Sequence, residues 1–158
     1  LTRWLMISTH YRAPLNLNEE AFTTSKKELD KIAAAYKQAC VKLALSSAQE
    51  ATTFDETYTA FIDALNDDLN TPNAISVVYE VVKKINQAVR QREIDVENLS
   101  VLIHTLEKML YILGIEFEKI TMSEEDKEMY QNWRNAVKEK DFETADTLRQ
   151  TLIEKGIL

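Results

Sequence analysis

Glycine and proline are almost missing, with two of each among 158 residues. So few chain-reversing residues argue against a turn-rich sheet protein and for long helices. No alternating apolar and polar run reaches strand length, and no apolar run approaches the length of a membrane span. The first residues lack the basic–apolar–small pattern of a signal peptide. A single cysteine, Cys40, excludes an internal disulfide and fits a reducing, cytoplasmic setting. The only histidines, His10 and His104, have no cysteine beside them, which argues against a zinc site. With Gly114 and Gly156 the only glycines, there is no glycine-rich phosphate loop. No Ser, His and Asp set can be nominated either, so no catalytic, cofactor-binding or metal-binding residue is expected. Finally, basic residues are outnumbered 19 to 26, a net charge of −7. That removes any general attraction for nucleic acid, and an RNA partner would have to meet local basic patches.

What is present is helical periodicity. Residues 1–11 read as a helix with Leu1, Trp4, Leu5 and Ser8 on one face, and Trp4 needs something large to pack on. The Arg12-Ala13-Pro14 step ends it, because a residue before proline is pushed out of the α region. Asn18 with Glu19 and Glu20 starts a long helix to about residue 46, with Leu29, Ile32, Ala33, Tyr36, Cys40 and Leu43 inward. Cys40 is then a small core hydrophobe. Residues 46–53 are small and polar and are expected to be mobile. Thr53 with Glu56 has the spacing of a capping box. It would open a helix with Phe54, Tyr58, Phe61, Ile62 and Leu65 on its apolar face. A tight corner follows, with Asn70 or Thr71 as candidate N-cap and Pro72 at or next to the first helical turn. The next helix places Val78, Val81, Val82, Ile85 and Val89 on one face and runs to about residue 92. Asp95 starts another, with Leu99, Leu102, Ile103, Leu106, Leu110 and Leu113 in line, stopped by Gly114. The expected fold is all-α: an up-and-down antiparallel helical bundle followed by a small two-helix C-terminal unit. In that unit Ser123 and Asp126 cap one helix and Asp141 starts the last, which ends at Gly156. The chain starts in mid-helix without Met, and Gly156 is followed by two apolar residues. It therefore reads as a piece of something longer, with its C-terminus truncated or disordered.

Asp63, Asp67 and Asp68 form the one carboxylate cluster. A hard cation wants more oxygen ligands and a loop to wrap it. The better reading is structural, with Asp68 ahead of a positive helix start and the other two acids unfavourably placed at a helix end. That cost implies a basic partner. Lys27, Lys31 and Lys42, and Lys83, Lys84, Arg90 and Arg92, read as solvated faces. Arg134, Lys138 and Lys140 beside Trp133 and Phe142 are more suggestive, because aromatics next to arginine stack splayed-out bases. Trp133 itself falls on the apolar face.

Three motifs resemble one family. Residues 5–15 (LMISTHYRAPL) are similar to the LLSxHYRSPL segment of cysteinyl-tRNA synthetases. Residues 61–74 (FIDALNDDLNTPNA) resemble that family's DDLNTP signature, and residues 140–149 (KDFETADTLR) its KDFxxADxIR. The resemblance implies the C-terminal part of a class I aminoacyl-tRNA synthetase, which attaches cysteine to its tRNA using ATP. The HIGH and KMSKS signatures, and the zinc that selects cysteine, would lie in an N-terminal part, and none of those motifs is present. It further implies that residues 1–17 end a stem-contact region, 18–114 form a DALR-like tRNA-binding bundle, and 115–158 are a partial anticodon-recognition unit. Carried over by position, Phe142 stacks on an anticodon base, and Asp146 and Arg149 contact base edges. Arg12 lies near the catalytic-domain junction, and Arg134 joins the tRNA-binding candidates. Val137 stands where family members often have arginine, and their terminal LEDTPxGTxWR segment is absent. The implied partners are cysteine tRNA and the N-terminal catalytic domain of the same polypeptide; a monomer away from membranes is expected. Two rivals remain: the bundle of a mycothiol cysteine ligase, which has no use for an anticodon-reading unit, and a helical protein-interaction module without RNA.

Overall fold

The computed structural model describes residues 1–46 and 49–158. Among them there are seven helices and no strand: α1 (Thr2–Ile7), α2 (Glu19–Ala44), α3 (Thr57–Asn66), α4 (Thr71–Arg90), α5 (Val96–Ile112), α6 (Glu124–Glu139) and α7 (Phe142–Glu154). The all-α expectation holds. Most starts follow from local chemistry, a side-chain oxygen taking one of the amides that a helix leaves unpaired. Asn18 accepts from the Ala21 N–H at 2.8 Å, Asp95 from Asn98 at 3.0 Å and Asp141 from Thr144 at 3.2 Å. Ser123 and Asp126 exchange bonds as a capping box, each at 3.1 Å. Asn70, rather than Thr71, caps α4, accepting from Asn73 at 3.2 Å, so Thr71 is the first helical residue and Pro72 the second.

The start of α3 differs from the sequence expectation. Thr53 and Glu56 make no capping box, and Phe54 lies outside the helix, exposed and stacked between Tyr58 and His104. Asp55 does the work instead, accepting from the Thr57 N–H at 3.1 Å and the Thr57 hydroxyl at 2.6 Å. It is also held by the Lys84 ammonium at 2.9 Å, which reaches Glu56 as well, so Lys84 is half-buried in an ion-pair cluster rather than part of a solvated face. Residues 47 and 48 of the segment expected to be mobile lie outside the described residues. The rest of it is tied to α5: Ser100 accepts from the Ala51 N–H and donates to the Gln49 carbonyl, and Thr105 accepts from the Asp55 N–H at 2.8 Å. Small polar residues read as mobile here because their partners lie about fifty positions away.

Burial alone would raise the Asp55 carboxyl, but Thr57 and Lys84 outweigh it and hold the pKa below the ordinary value. A depressed folded-state pKa stabilises above the unfolded value of about 3.9 and loses that contribution as pH falls through the folded value. Asp55→Asn should therefore lower stability by roughly 1–3 kcal/mol at neutral pH. In urea titrations, its gap from wild type should close below about pH 4. A gap unchanged in acid would mean the ionised carboxylate is not what matters.

The directions of the helices follow from who meets whom. Lys84 of α4 reaches the residues just ahead of α3, so the pair α3–α4 is antiparallel. The Tyr36 hydroxyl of α2 donates to Glu107 of α5 at 2.7 Å, while Cys40 and Leu43 share a cavity with Ser100 and Ile103, so these two are antiparallel as well. Directions alternate along the chain as expected of an up-and-down bundle. The spatial arrangement is less symmetrical, since α4 packs against α2, α3 and α5 together. Its Val78, Val81 and Ile85 are fully buried. Cys40 is buried with them, and desolvation pushes its thiol up, as suits a core hydrophobe and not a nucleophile.

At the N-terminal end α1 stops at Ile7 instead of near residue 11, leaving His10 and Tyr11 in the following turn. Trp4 nevertheless sits in the main core, and Arg3 donates to the carbonyl of Gly114. Gly114 adopts φ +69°, the left-handed geometry that lets the Ile115 N–H return to the Leu110 carbonyl and close α5. At the other end, α6 and α7 pair with each other. Tyr130, Leu152 and Ile157 pack on Val41 of α2 as a second, smaller core. Ile157 is buried, so the last apolar residues are ordered against the bundle rather than loose.

Candidate nucleic-acid interface

The five candidate residues fall into three places. Phe142, Asp146 and Arg149 share α7 at spacings of four and three, which puts them on one face of the helix. All three are exposed, Phe142 to 67%. The buried side of α7 carries Ala145 and Leu152 instead. An aromatic this open at a helix start is not explained by packing, because its ring contributes nothing to either core. The turn before it is shaped by Lys140, which adopts the left-handed conformation at φ 62° and sends the Asp141 N–H back to the Ala136 carbonyl. Val137 is exposed as well, at 47%, on the turn of α6 that precedes Lys140. Trp133, by contrast, is half-buried edge-on against Tyr130, as its place on the apolar face requires.

Arg134 is exposed on α6 and lies towards α2. Burial first, and the Arg134 charge second, push the Lys42 ammonium below its ordinary pKa. The base of the unit is braced by Lys155, which pairs with Asp126 and, with Ser123, holds that carboxyl down to about 2.

Arg12 is placed elsewhere. Its guanidinium pairs with Asp68 at 3.2 Å and donates to the Tyr11 hydroxyl at 2.9 Å, while that hydroxyl donates to Asp68 at 2.8 Å. His10 stacks on the Tyr11 ring at 4.8 Å. Two sequence motifs 57 residues apart therefore meet at the α3–α4 corner. There Asp68 and Leu69 both take left-handed backbone at φ 53°, at a cost of about 1–2 kcal/mol each for residues with a Cβ. Arg12 is the cation at this corner, but it meets Asp68; Asp63 and Asp67, the two acids whose placement implied a basic partner, form no ion pair among the described residues. Asp68 faces Arg12 rather than capping α4, a pairing that no local pattern announces.

No group of three or more His, Cys, Asp or Glu among the described residues is arranged to hold a metal. Among the described residues, no helix is long and apolar enough to cross a membrane. The chemistry on offer is an exposed aromatic with a hydrogen-bond acceptor and a guanidinium in line behind it. That set suits stacking and edge recognition of a planar heterocycle.

Residues 60–118 match the DALR domain family. Over its whole length the chain is 32% identical to the cysteine–tRNA ligase of Bacillus cereus (strain B4264) and 32% identical to that of Mesoplasma florum, spanning 36% of each. The corresponding figure for the cysteine–tRNA ligase of Bacillus thuringiensis (strain Al Hakam) is 31%, again across 36% of that protein. The chain thus spans about a third of the length of the curated relatives it matches. With only helices among the described residues, a match to the DALR domain family over residues 60–118 and a likeness running from its first residue to its last, the chain is related to the cysteine–tRNA ligases.

Proposed function

We propose that this chain is the tRNA-binding C-terminal region of a cysteine–tRNA ligase, which joins cysteine to its cognate tRNA using ATP. Its bundle, from residue 18 to 114, lies along the tRNA, and residues 115–158 take part in reading the anticodon. The observation that carries this reading is the stripe on α7. Phe142 is free to stack on an unpaired base, Asp146 accepts from an exocyclic amino group, and Arg149 donates to a base edge or phosphate. Residues 1–17, with Arg12 bound to Asp68, lead towards the catalytic domain of the same polypeptide. ATP and zinc chemistry belongs to that domain. For zinc, the one cysteine is buried and no group of three or more His, Cys, Asp or Glu among the described residues is arranged to ligate it. A cytoplasmic monomer acting on tRNA accords with these features. A mycothiol cysteine ligase would have no role for the unpacked Phe142 stripe, and the likeness to cysteine–tRNA ligases over the whole chain favours tRNA over a protein partner.

In the full ligase, Phe142→Ala should reduce kcat/KM for cysteine tRNA by about 5- to 150-fold, the 1–3 kcal/mol of one base stacked on an aromatic. Cysteine-dependent ATP–pyrophosphate exchange should stay at the wild-type rate. A parallel fall in both would show that Phe142 supports the enzyme's structure rather than the anticodon.

A further inference from the structure

A groove of about 440 Å³ runs along the seam between α2, α4 and the C-terminal unit. Its floor is apolar, made by Ala34, Val41, Val89, Tyr130 and Ile157. Lys37, Lys42 and Arg90 line its rim, and Arg134 lies close enough to act on Lys42. We propose that this seam binds the phosphate backbone of the tRNA, with Lys37, Lys42, Arg90 and Arg134 as its cations. The proposal rests on the tRNA reading above and adds a second contact surface, separate from the α7 stripe.

The argument is one of charge. Acids outnumber bases in this chain by 26 to 19, yet no carboxylate side chain lines the groove. None of the four cations forms an ion pair with a side chain among the described residues, so their charge is not neutralised within the groove. Lys42 and Arg90 stand in the last turns of α2 and α4, where the helix dipole favours a cation. That accounts for each singly. It does not account for Lys42 and Arg90 meeting, together with Lys37, on the rim of one groove that no carboxylate side chain lines. Lys37 donates to the Leu158 carbonyl at 2.8 Å and keeps two further N–H groups for a ligand. The low-dielectric floor concentrates the field of the rim, and so favours a polyanion over bulk counter-ions. The cations come from three helices of both units, so a strand lying in the seam would touch the bundle and the anticodon-reading unit together. Such contacts orient the RNA and carry no sequence information.

The test uses the full ligase and cysteine tRNA transcript, with filter binding between about 50 and 200 mM salt. Removing two cations in Lys42→Ala/Arg90→Ala should flatten the plot of log K against log salt by about 1.4–1.8, at 0.7–0.9 per phosphate contact. Affinity should fall equally for cysteine tRNA and for a non-cognate tRNA, and Lys42→Arg should keep the wild-type slope. Cysteine activation and the thermal midpoint should not move. If wild type binds tRNA and the double variant has an unchanged slope, the groove is not the phosphate site, and an acidic protein segment becomes its better occupant. If wild type shows no salt-dependent tRNA binding, the functional reading fails and the groove with it. A loss confined to cognate tRNA would overturn the proposal by showing base reading in place of phosphate contact.

Discussion

Trp4→Ala should destabilise the bundle by about 3–5 kcal/mol, the range for deleting a buried tryptophan side chain. Trp4 is 0% exposed although its helix is only 6 residues long. Its ring meets Tyr79 of α4 edge-on at 6.3 Å, and its indole N–H donates to Glu28 of α2 at 3.0 Å. Deleting it would open a cavity between α2 and α4 and leave Glu28 without that donor. Tyr79 is already burdened there: burial first, and the nearby Glu28 carboxylate second, push its hydroxyl up to about 12. That hydroxyl is buried without a hydrogen-bond partner among the described residues. Trp4→Phe should keep most of the apolar contact and lose the N–H bond, costing about 1–3 kcal/mol. Urea unfolding followed by far-UV circular dichroism measures both. A loss below about 0.5 kcal/mol for Trp4→Ala, the usual range of a surface change, would mean that α1 is an ornament on the bundle and not part of its core.

The same residue marks the limit of what the chain discloses before folding. That Trp4 needs a large surface is legible from its size, but not that the surface is the α2–α4 seam, 24 and 75 positions away. Where structure depends on residues within a turn of each other, the reading is accurate. Asn18, Asp95, Ser123 and Asp141 each cap the helix that they precede. Thr53 and Glu56 have equally good local spacing and fail because Asp55 has stronger distant partners, Thr105 and Lys84. A local pattern decides only when no tertiary contact outbids it. The candidate interface divides the same way. Phe142, Asp146 and Arg149 share a face through helical spacing alone, but only the resemblance of residues 140–149 to the family motif singles them out as candidates. The tie from Tyr11 and Arg12 to Asp68 needs the whole bundle to close, and the seam cations need α2, α4 and α6 to converge. Taken separately along the sequence, Lys42 and Arg90 are indistinguishable from a solvated face, and only Arg134 stands out.

Leu152→Ala should undo the α6–α7 unit while leaving the bundle folded. Leu152 is 0% exposed and is the one fully buried side chain of the small core, where it packs with Tyr130, Ile157 and Val41 of α2. Removing a buried leucine costs about 2–5 kcal/mol. Two helices of 16 and 13 residues offer few other apolar contacts to absorb it. Isolated helices of that length are marginal in water, so the pair depends on this core rather than on propensity. The main core, with Phe61, Ile85 and Leu106 fully buried, shares no fully buried residue with it. Amide hydrogen exchange should therefore show residues 124–154 losing their protection, while α4 and α5 exchange at near wild-type rates. Equal loss across α4 would mean that the two cores unfold as one cooperative unit. The selective outcome has a functional consequence, because the Phe142 stripe and Arg134 are carried by the helices that melt. On the proposed tRNA reading, the variant ligase should then lose tRNA aminoacylation at least as severely as Phe142→Ala, with the bundle intact and cysteine activation preserved.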